Sequence, residues 1–286
     1  MPELPEVETI KEDLRALVVG GQILRAEVLD PLLIEHPSPE EFVRRVEDTG
    51  ITGCRRRAKH LILELGTGDA VVFQLKIGGQ LLLVPPVEEP ITALMLVLQL
   101  DGDRRLFLRD QTGYTRAQVM DEEALEERFA ELGPEPLGKG FGVEYLRGTL
   151  LHRRAQIKPL LLDQKVVAGI GNIYADETLY DARLHPRRKA DTLTTEDWEI
   201  LHGAIQENLS AGIEHRGTTF SLYRDVLGRK GHHQDHLRVF LRAGKPCPSE
   251  CGGKVVKEKV GGRATFLCPA CQRENWREGE QRLTLD

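Results

Sequence analysis

The order of patterns along this chain predicts an α+β protein in two domains. Short β-like runs occupy the first 130 or so residues, helical periodicity follows a Gly/Pro-rich break, and four cysteines close the pattern near the end. Residues 7–18 read as a helix stopped by Gly20-Gly21, and 23–29 as the strand that follows. Apolar runs at 61–65, 71–75, 80–84, 94–100 and 106–109 are separated by turn signals at 66–69, Gly78-Gly79, Pro85-Pro86 and 101–103. Such spacing predicts an antiparallel sandwich or barrel. Residues 133–143 hold four Gly and two Pro and read as the linker. Beyond them, helices are expected at 144–152, 157–163, 173–182 and 195–212, the last capped by Thr194 or Thr195 with Glu196 and Asp197 in its first turn.

With 286 residues, 40% hydrophobic and 29% charged, the chain can build two cores, and wholesale disorder is excluded. Apolar runs of four to six residues are too short to span a bilayer, so no membrane association is expected. The opening lacks a basic patch and an apolar stretch, which points to a cytoplasmic home. The net charge of −6 argues mildly against a nucleic-acid partner, but its distribution is uneven. Residues 1–132 carry 15 Lys+Arg against 25 Asp+Glu, whereas 216–273 carry 12 against 4. The acidic excess is expected to face solvent, leaving a narrow basic band, with an island at Arg55-Arg56-Arg57-Ala58-Lys59.

Cys247, Cys251, Cys268 and Cys271 form two close pairs about sixteen residues apart. Each pair can supply two thiolates from one tight turn, and Gly261-Gly262 can reverse a hairpin with strands at 254–259 and 263–267. This predicts one structural zinc, since four protein ligands leave no open position. Two disulfides are the alternative, disfavoured without a secretion signal. Cys54 stands alone and reads as a small hydrophobe.

Four motifs in register carry a resemblance: Met1-Pro2-Glu3-Leu4-Pro5-Glu6-Val7-Glu8-Thr9, Arg56-Arg57-Ala58-Lys59, the run from Gly169 to Glu177, and the cysteine hairpin with Arg263-Ala264-Thr265-Phe266. Together they resemble the formamidopyrimidine-DNA glycosylase/endonuclease VIII family, its formamidopyrimidine branch in particular. The resemblance implies an N-terminal β-sandwich (1–132), a linker (133–143), a helix–two-turn–helix domain (144–240), a zinc hairpin (241–273) and a polar tail (274–286). It implies a monomeric bacterial base-excision repair enzyme on damaged double-stranded DNA, bound in a cleft between domains. Such an enzyme excises 8-oxoguanine and formamidopyrimidines through a Schiff base, then cuts the abasic strand by β,δ-elimination.

The residue chemistry suits that reading. If Met1 is removed, the amine of Pro2 becomes terminal, with a pKa near 8 for an α-amine against about 10.4 for Lys. A secondary amine also gives an iminium that stays cationic and acts as an electron sink. Glu3, beside it, can move protons during sugar opening. The resemblance assigns Lys59 and Arg263 to phosphate binding and elimination. It places Arg153, Lys158, Asn172 and Tyr174 among DNA or lesion contacts, Glu6, Thr218 and Thr219 around the lesion, and Ile77 and Tyr114 as wedges filling the gap left by a flipped base. Glu8 reads as structural.

This chain departs from the family pattern at four places. Gly113 stands where the family carries the arginine that reads the opposite base; Arg109, Gln111 or Arg116 are the candidate substitutes. The first cysteine pair has three intervening residues, no His lies near Thr92, and the tail runs past the usual end. Altered lesion or opposite-base preference, including oxidised pyrimidines, and a non-catalytic damaged-DNA-binding protein are therefore the competing readings.

Overall fold

The described residues of the computed structural model are 1–84 and 92–272; the Pro85-Pro86 separator and the tail 274–286 lie outside them. Two compact units divide the chain, one of residues 1–131 with 212–234, the other of 132–211 with residues from 235 onward.

The first unit opens with α1 (Leu4–Leu17), β1 (Gln22–Val28), β2 (Ile34–His36) and α2 (Pro39–Val46). It continues with β3 (Thr49–Arg57), β4 (His60–Leu65), β5 (Ala70–Gln74), β6 (Gly79–Val84), β7 (Leu94–Leu100), β8 (Arg105–Asp110), β9 (Arg116–Met120) and α3 (Glu122–Phe129). The strands run in the order β2-β9-β5-β4-β3-β1-β7-β8-β6. All neighbours are antiparallel except β2 and β9. The fold-over happens at β1, where Ile23 pairs with both Thr49 and Leu100 and the register then shifts before Arg25. Such a bulge bends a strand, and it lets the two halves of the sheet share one core. Leu61, Leu63, Val71 and Phe73 from one half meet Leu81, Leu96, Leu98 and Leu106 from the other, with Val7, Ile10 and Leu14 of α1 joining them.

Residues 212–234, which the sequence reading placed in the helical domain, pack on this sandwich. Tyr223 and Val226 belong to its core, and the Leu83 amide donates to the Val226 carbonyl at 2.8 Å. Sequence pattern alone gives no sign of this return, because 216–234 has neither period.

The second unit contains α4 (Val143–Leu150), α5 (Ile157–Leu162), α6 (Asn172–Asp181), most of α7 (Thr195–Glu214), and the hairpin β10 (Val256–Val260) with β11 (Arg263–Leu267). Thr194 is the residue that caps α7: its hydroxyl accepts from the Asp197 amide at 3.2 Å, and the Asp197 carboxylate accepts from the Thr194 amide at 2.9 Å. Gly261 and Gly262 turn the hairpin at φ +54° and +79°, a left-handed pair that glycine adopts without strain. The α+β expectation is borne out.

Two expected DNA contacts are corrected here. Lys158 is fully buried, with Nζ 2.6 Å from Asp176 Oδ1 and donating to the Ala264 carbonyl at 3.0 Å and Thr265 Oγ1 at 2.8 Å. Asp176 in turn accepts from the Phe266 amide at 2.9 Å. The pair therefore seats β11 on α5 and α6. Tyr174 is likewise fully buried. Both positions serve packing, because a phosphate cannot reach a side chain with no exposed surface. Removing one member of a buried ion pair leaves the other uncompensated, so Lys158→Ala is expected to lose about 3 kcal/mol of stability by urea denaturation. The pair Lys158→Met with Asp176→Leu should recover most of that loss.

Candidate functional site

The first turn of α1 carries the densest cluster of chemistry in the first unit. Glu3 is the N-cap and Pro5 sits in the first turn, where a missing amide hydrogen costs nothing. Glu3 and Glu6 form a capping box: the Glu3 side chain accepts from the Glu6 amide, and Glu6 Oε2 accepts from the Glu3 amide at 2.8 Å. Both carboxylates and Pro2 are buried. The other oxygen of Glu6 accepts from the Thr218 amide at 2.7 Å. One carboxylate thus ties the chain opening to a segment more than two hundred residues away.

That segment is shaped to meet it. Gly217 has φ +80°, and a Cβ there would lie 2.8 Å from Glu6 Cγ. Tyr223 Oη donates to the Arg216 carbonyl at 3.1 Å, and Thr219 Oγ1 accepts from the Gly231 amide at 3.0 Å. Arg216 holds Asp13 of α1 at 2.6 Å and Asp225 at 2.7 Å. Thr218 and Thr219 are accordingly buried at the root of the loop.

The terminal amine on Met1 is held below its ordinary value of 8.0 by burial; Glu3 and Glu6 oppose that shift and Lys59 reinforces it. These are the charges that surround the start of the chain. Lys59 reaches them from the two-residue turn between β3 and β4, closed by the Arg57↔His60 pair, with Ala58 at φ +53°. Arg56 fixes that turn: Nε donates to Glu8 of α1 at 2.6 Å and Nη1 to the Ala58 carbonyl at 2.8 Å. Arg55 is bound to Glu64 at 2.6 Å and Glu122 at 2.8 Å. The basic island is therefore partly an internal scaffold, with Arg55 and Arg56 holding carboxylates of the protein itself. Glu8 is structural, as the sequence suggested. His60 is pushed down to about 4 by burial, with Arg128 adding repulsion, so it is neutral at physiological pH. Burial pushes the Cys54 thiol up to about 12, far from a nucleophile's value.

Ile77 and Tyr114 stand on adjacent turns and are 62% and 66% exposed, unusual for large apolar side chains. Asp110 organises both turns. It accepts from the Thr112 amide at 2.7 Å, the Tyr114 amide at 3.1 Å and the Thr115 amide at 2.8 Å, and a Cβ on Gly78 would collide with it. Despite its burial, hydrogen bonds from Thr112 and Thr115 keep its carboxyl below the usual range. Gly113 has φ +69° with open space beside it. Sequence reasoning missed the role of Asp110 and read Arg56 only as part of a basic island, because both roles lie in loop geometry that no period reports.

In the second unit, Asn172 opens α6 and its Nδ2 donates to the Ala264 carbonyl at 2.9 Å. That bond brings Asn172 beside exposed Arg263 on β11. Arg153 is exposed after α4. Glu177, unremarked in the sequence, is buried and accepts from the amides of Arg238, Val239 and Phe240 at 2.7–3.0 Å.

The four cysteines of the hairpin are unbridged, and their sulfurs lie within 4.8 Å of one another. Cys247 and Cys271 are 3.6 Å apart, as are Cys251 and Cys268. A tetrahedron with metal–sulfur bonds of about 2.3 Å has edges close to this length. The donor set fits one structural zinc, which would pin the base of the β10–β11 hairpin that carries Arg263.

These features define an α+β protein with a four-cysteine metal site and, around its chain opening, a terminal amine, two buried carboxylates and a lysine. Comparison with known proteins agrees. The formamidopyrimidine-DNA glycosylase N-terminal domain matches residues 1–117, the formamidopyrimidine-DNA glycosylase H2TH domain residues 132–224, and a zinc finger found in FPG and IleRS residues 244–273. A formamidopyrimidine-DNA glycosylase of a Roseiflexus species is 41% identical over 96% of this chain and 100% of its own. That of Symbiobacterium thermophilum is 43% identical over 95% of this chain and 89% of its own. Among solved structures, Lactococcus lactis Fpg in complex with DNA containing an abasic site has a TM-score of 0.89 at 32% identity, covering 95% of this chain and 99% of that one. The chain belongs to the formamidopyrimidine-DNA glycosylase family.

Two outcomes follow from this geometry. Glu6→Gln keeps one acceptor oxygen but turns an N–H₂ toward a backbone amide, so one bond is lost, worth about 2 kcal/mol; hydrogen exchange at the Thr218 amide should accelerate. Lys59→Met removes a cation from the terminal amine and should raise its pKa, whereas Glu3→Gln should lower it. The pH profile of acylation of that amine reads both shifts.

Proposed function

We propose that this protein is a bifunctional DNA glycosylase and abasic-site lyase that excises oxidised purines from damaged double-stranded DNA. The observation that carries the reading is the terminal amine held among Glu3, Glu6 and Lys59, in a chain of this family. Once Met1 is removed, the Pro2 nitrogen attacks C1′ of the lesion's sugar and the oxidised base departs with the glycosidic electron pair. Glu3 supplies a proton to the sugar ring oxygen as the ring opens. The resulting iminium withdraws electrons from C2′, whose proton is lost as the 3′ phosphate leaves; a second elimination releases the 5′ phosphate. Lys59 and Arg263 stabilise the departing phosphates. Asn172 and Arg153 bind backbone phosphates, Ile77 and Tyr114 fill the vacated stack, and the loop rooted at Thr218 and Thr219 covers the extruded base. The protein works as a monomer in the bacterial cytoplasm, at the nucleoid.

One specific observation favours a variation in selectivity. Gly113 offers no side chain to the base opposite the lesion, while Tyr114 beside it is exposed. We therefore expect weak discrimination among opposite bases. Duplexes carrying 8-oxoguanine, a formamidopyrimidine or thymine glycol opposite each base are incubated with the protein, then reduced with borohydride. Covalent adduct on the purine lesions, of similar yield opposite all four bases, is the expected result. Adduct confined to thymine glycol would replace the purine reading with the pyrimidine one. No adduct on any duplex, an abasic one included, would leave only a damage-binding protein.

A further inference from the structure

The first cysteine pair encloses Cys247-Pro248-Ser249-Glu250-Cys251, one residue more than the family's usual spacing, and nothing in the proposed reaction accounts for the insertion. The structure shows what the longer turn contacts. Glu250 takes up the extra length in the left-handed region at φ +52°, and Ser249 is delivered to the end of α6. There Ser249 Oγ is bonded to Tyr180 Oη and accepts from Arg183 Nη2 at 2.9 Å, while Tyr180 Oη lies 3.2 Å from Cys247 Sγ. Tyr180 is 1% exposed.

The proton count orders these bonds. Arginine only donates, and a metal-bound thiolate only accepts. The chain therefore runs one way: Arg183 N–H to Ser249 Oγ, Ser249 O–H to Tyr180 Oη, Tyr180 O–H to Cys247 sulfur. Hydrogen bonds aligned in this sense polarise one another toward the anion.

The charge balance of Arg183 points to the same anion. The residue is 7% exposed, its guanidinium lies 5.0 Å from the Tyr180 ring centre, and it forms no ion pair with a carboxylate among the described residues. Nη1 is buried without a hydrogen-bond partner among the described residues. A buried cation requires a counter-charge. One zinc with four thiolates carries a charge of −2, and Arg183 is linked to the Cys247 sulfur through Ser249 Oγ and Tyr180 Oη. Arg183 is the left-handed residue that ends α6, at φ +56°, its amide donating to the Tyr180 carbonyl at 3.1 Å and the Leu184 amide to the Leu179 carbonyl at 2.9 Å.

We propose that Arg183, Ser249 and Tyr180 form an outer hydrogen-bond sphere for the zinc tetrathiolate, made possible by the lengthened cysteine turn, that neutralises part of its charge and locks the hairpin onto α6. These are positioning residues, acting on the metal through its sulfur ligands. Outer-sphere partners of this kind are typically worth roughly ten- to hundred-fold in metal affinity.

The test uses the full chain loaded with zinc, and separately with cobalt(II), whose sulfur-to-metal charge-transfer band reports electron density on the thiolates. Tyr180→Phe keeps the packing and removes one hydrogen bond to sulfur; Arg183→Gln removes the charge. Both are expected to lower zinc affinity about ten-fold in competition with a chromogenic chelator. Both should move the cobalt band to lower energy, since a thiolate that loses a donor gives up its electrons more easily. Arg183→Lys should return part of the affinity. If Arg183→Gln does not fold, Tyr180→Phe decides alone. An unchanged cobalt band and unchanged zinc affinity in Tyr180→Phe would overturn the proposal, because a purely packing role for the ring predicts that result.

Discussion

A buried carboxylate needs donors around it, and Glu6 takes backbone amides from two places, one at the chain opening and one more than two hundred residues away. The Glu3 amide belongs to the chain opening and the Thr218 amide to the loop after α7. This single constraint explains several others. Gly217 must lack a side chain because its Cβ position is occupied by Glu6, and Gly231 must lack one because its Cβ would strike the Gly217 carbonyl. Residues 212–234 leave the helical unit to reach that carboxylate, and Arg216 clasps Asp13 to keep them there. The order around the chain opening, on which a terminal-amine nucleophile depends, is set by the same contacts.

Glu6 is one of several. Asp110 shapes the turns of Ile77 and Tyr114, Asp176 seats β11, Glu177 caps three amides at 238–240, and Asp225 collects Arg216 and Arg229. The net charge of −6 first looked like solvated acid on a protein with a basic band. Part of that acid is interior and holds loops whose backbones have no sheet or helix to satisfy them. Ionised carboxylates accept several amides at once, with stronger bonds than a neutral acceptor makes. An acid-rich composition is thus compatible with binding an anion, because several of its carboxylates are taken up by interior loops.

The elements with a clear period were legible in the sequence. The helix opening the chain, the strand at 94–100, the four later helices and the cysteine hairpin all form near their expected places. β3 was missed because Thr-Gly-Ile-Thr-Gly-Cys-Arg-Arg-Arg has few apolar residues to alternate, and β9 because five residues carry too short a signal. Site residues divided by mechanism. The four cysteines gather as their spacing implied, because each close pair comes from one tight turn; Glu3 and Glu6 share the first turn of α1, and only the fold brings Lys59 to them. Lys158 and Tyr174 did not reach the surface, since a helical position does not reveal which face is covered. Gly113 and the lengthened cysteine turn were visible as departures, but only the structure gives the turn its partners.

We propose that the amine of Pro2, at the opening of α1 that Glu6 anchors, is the group that bonds to DNA. Peptide mapping of the borohydride-reduced adduct tests it most directly. The expected product is a tryptic peptide running from Pro2 to Lys11, with Met1 gone and the sugar remnant on the proline nitrogen. A remnant on Lys59, or an adduct whose peptide still begins with Met1, would contradict it.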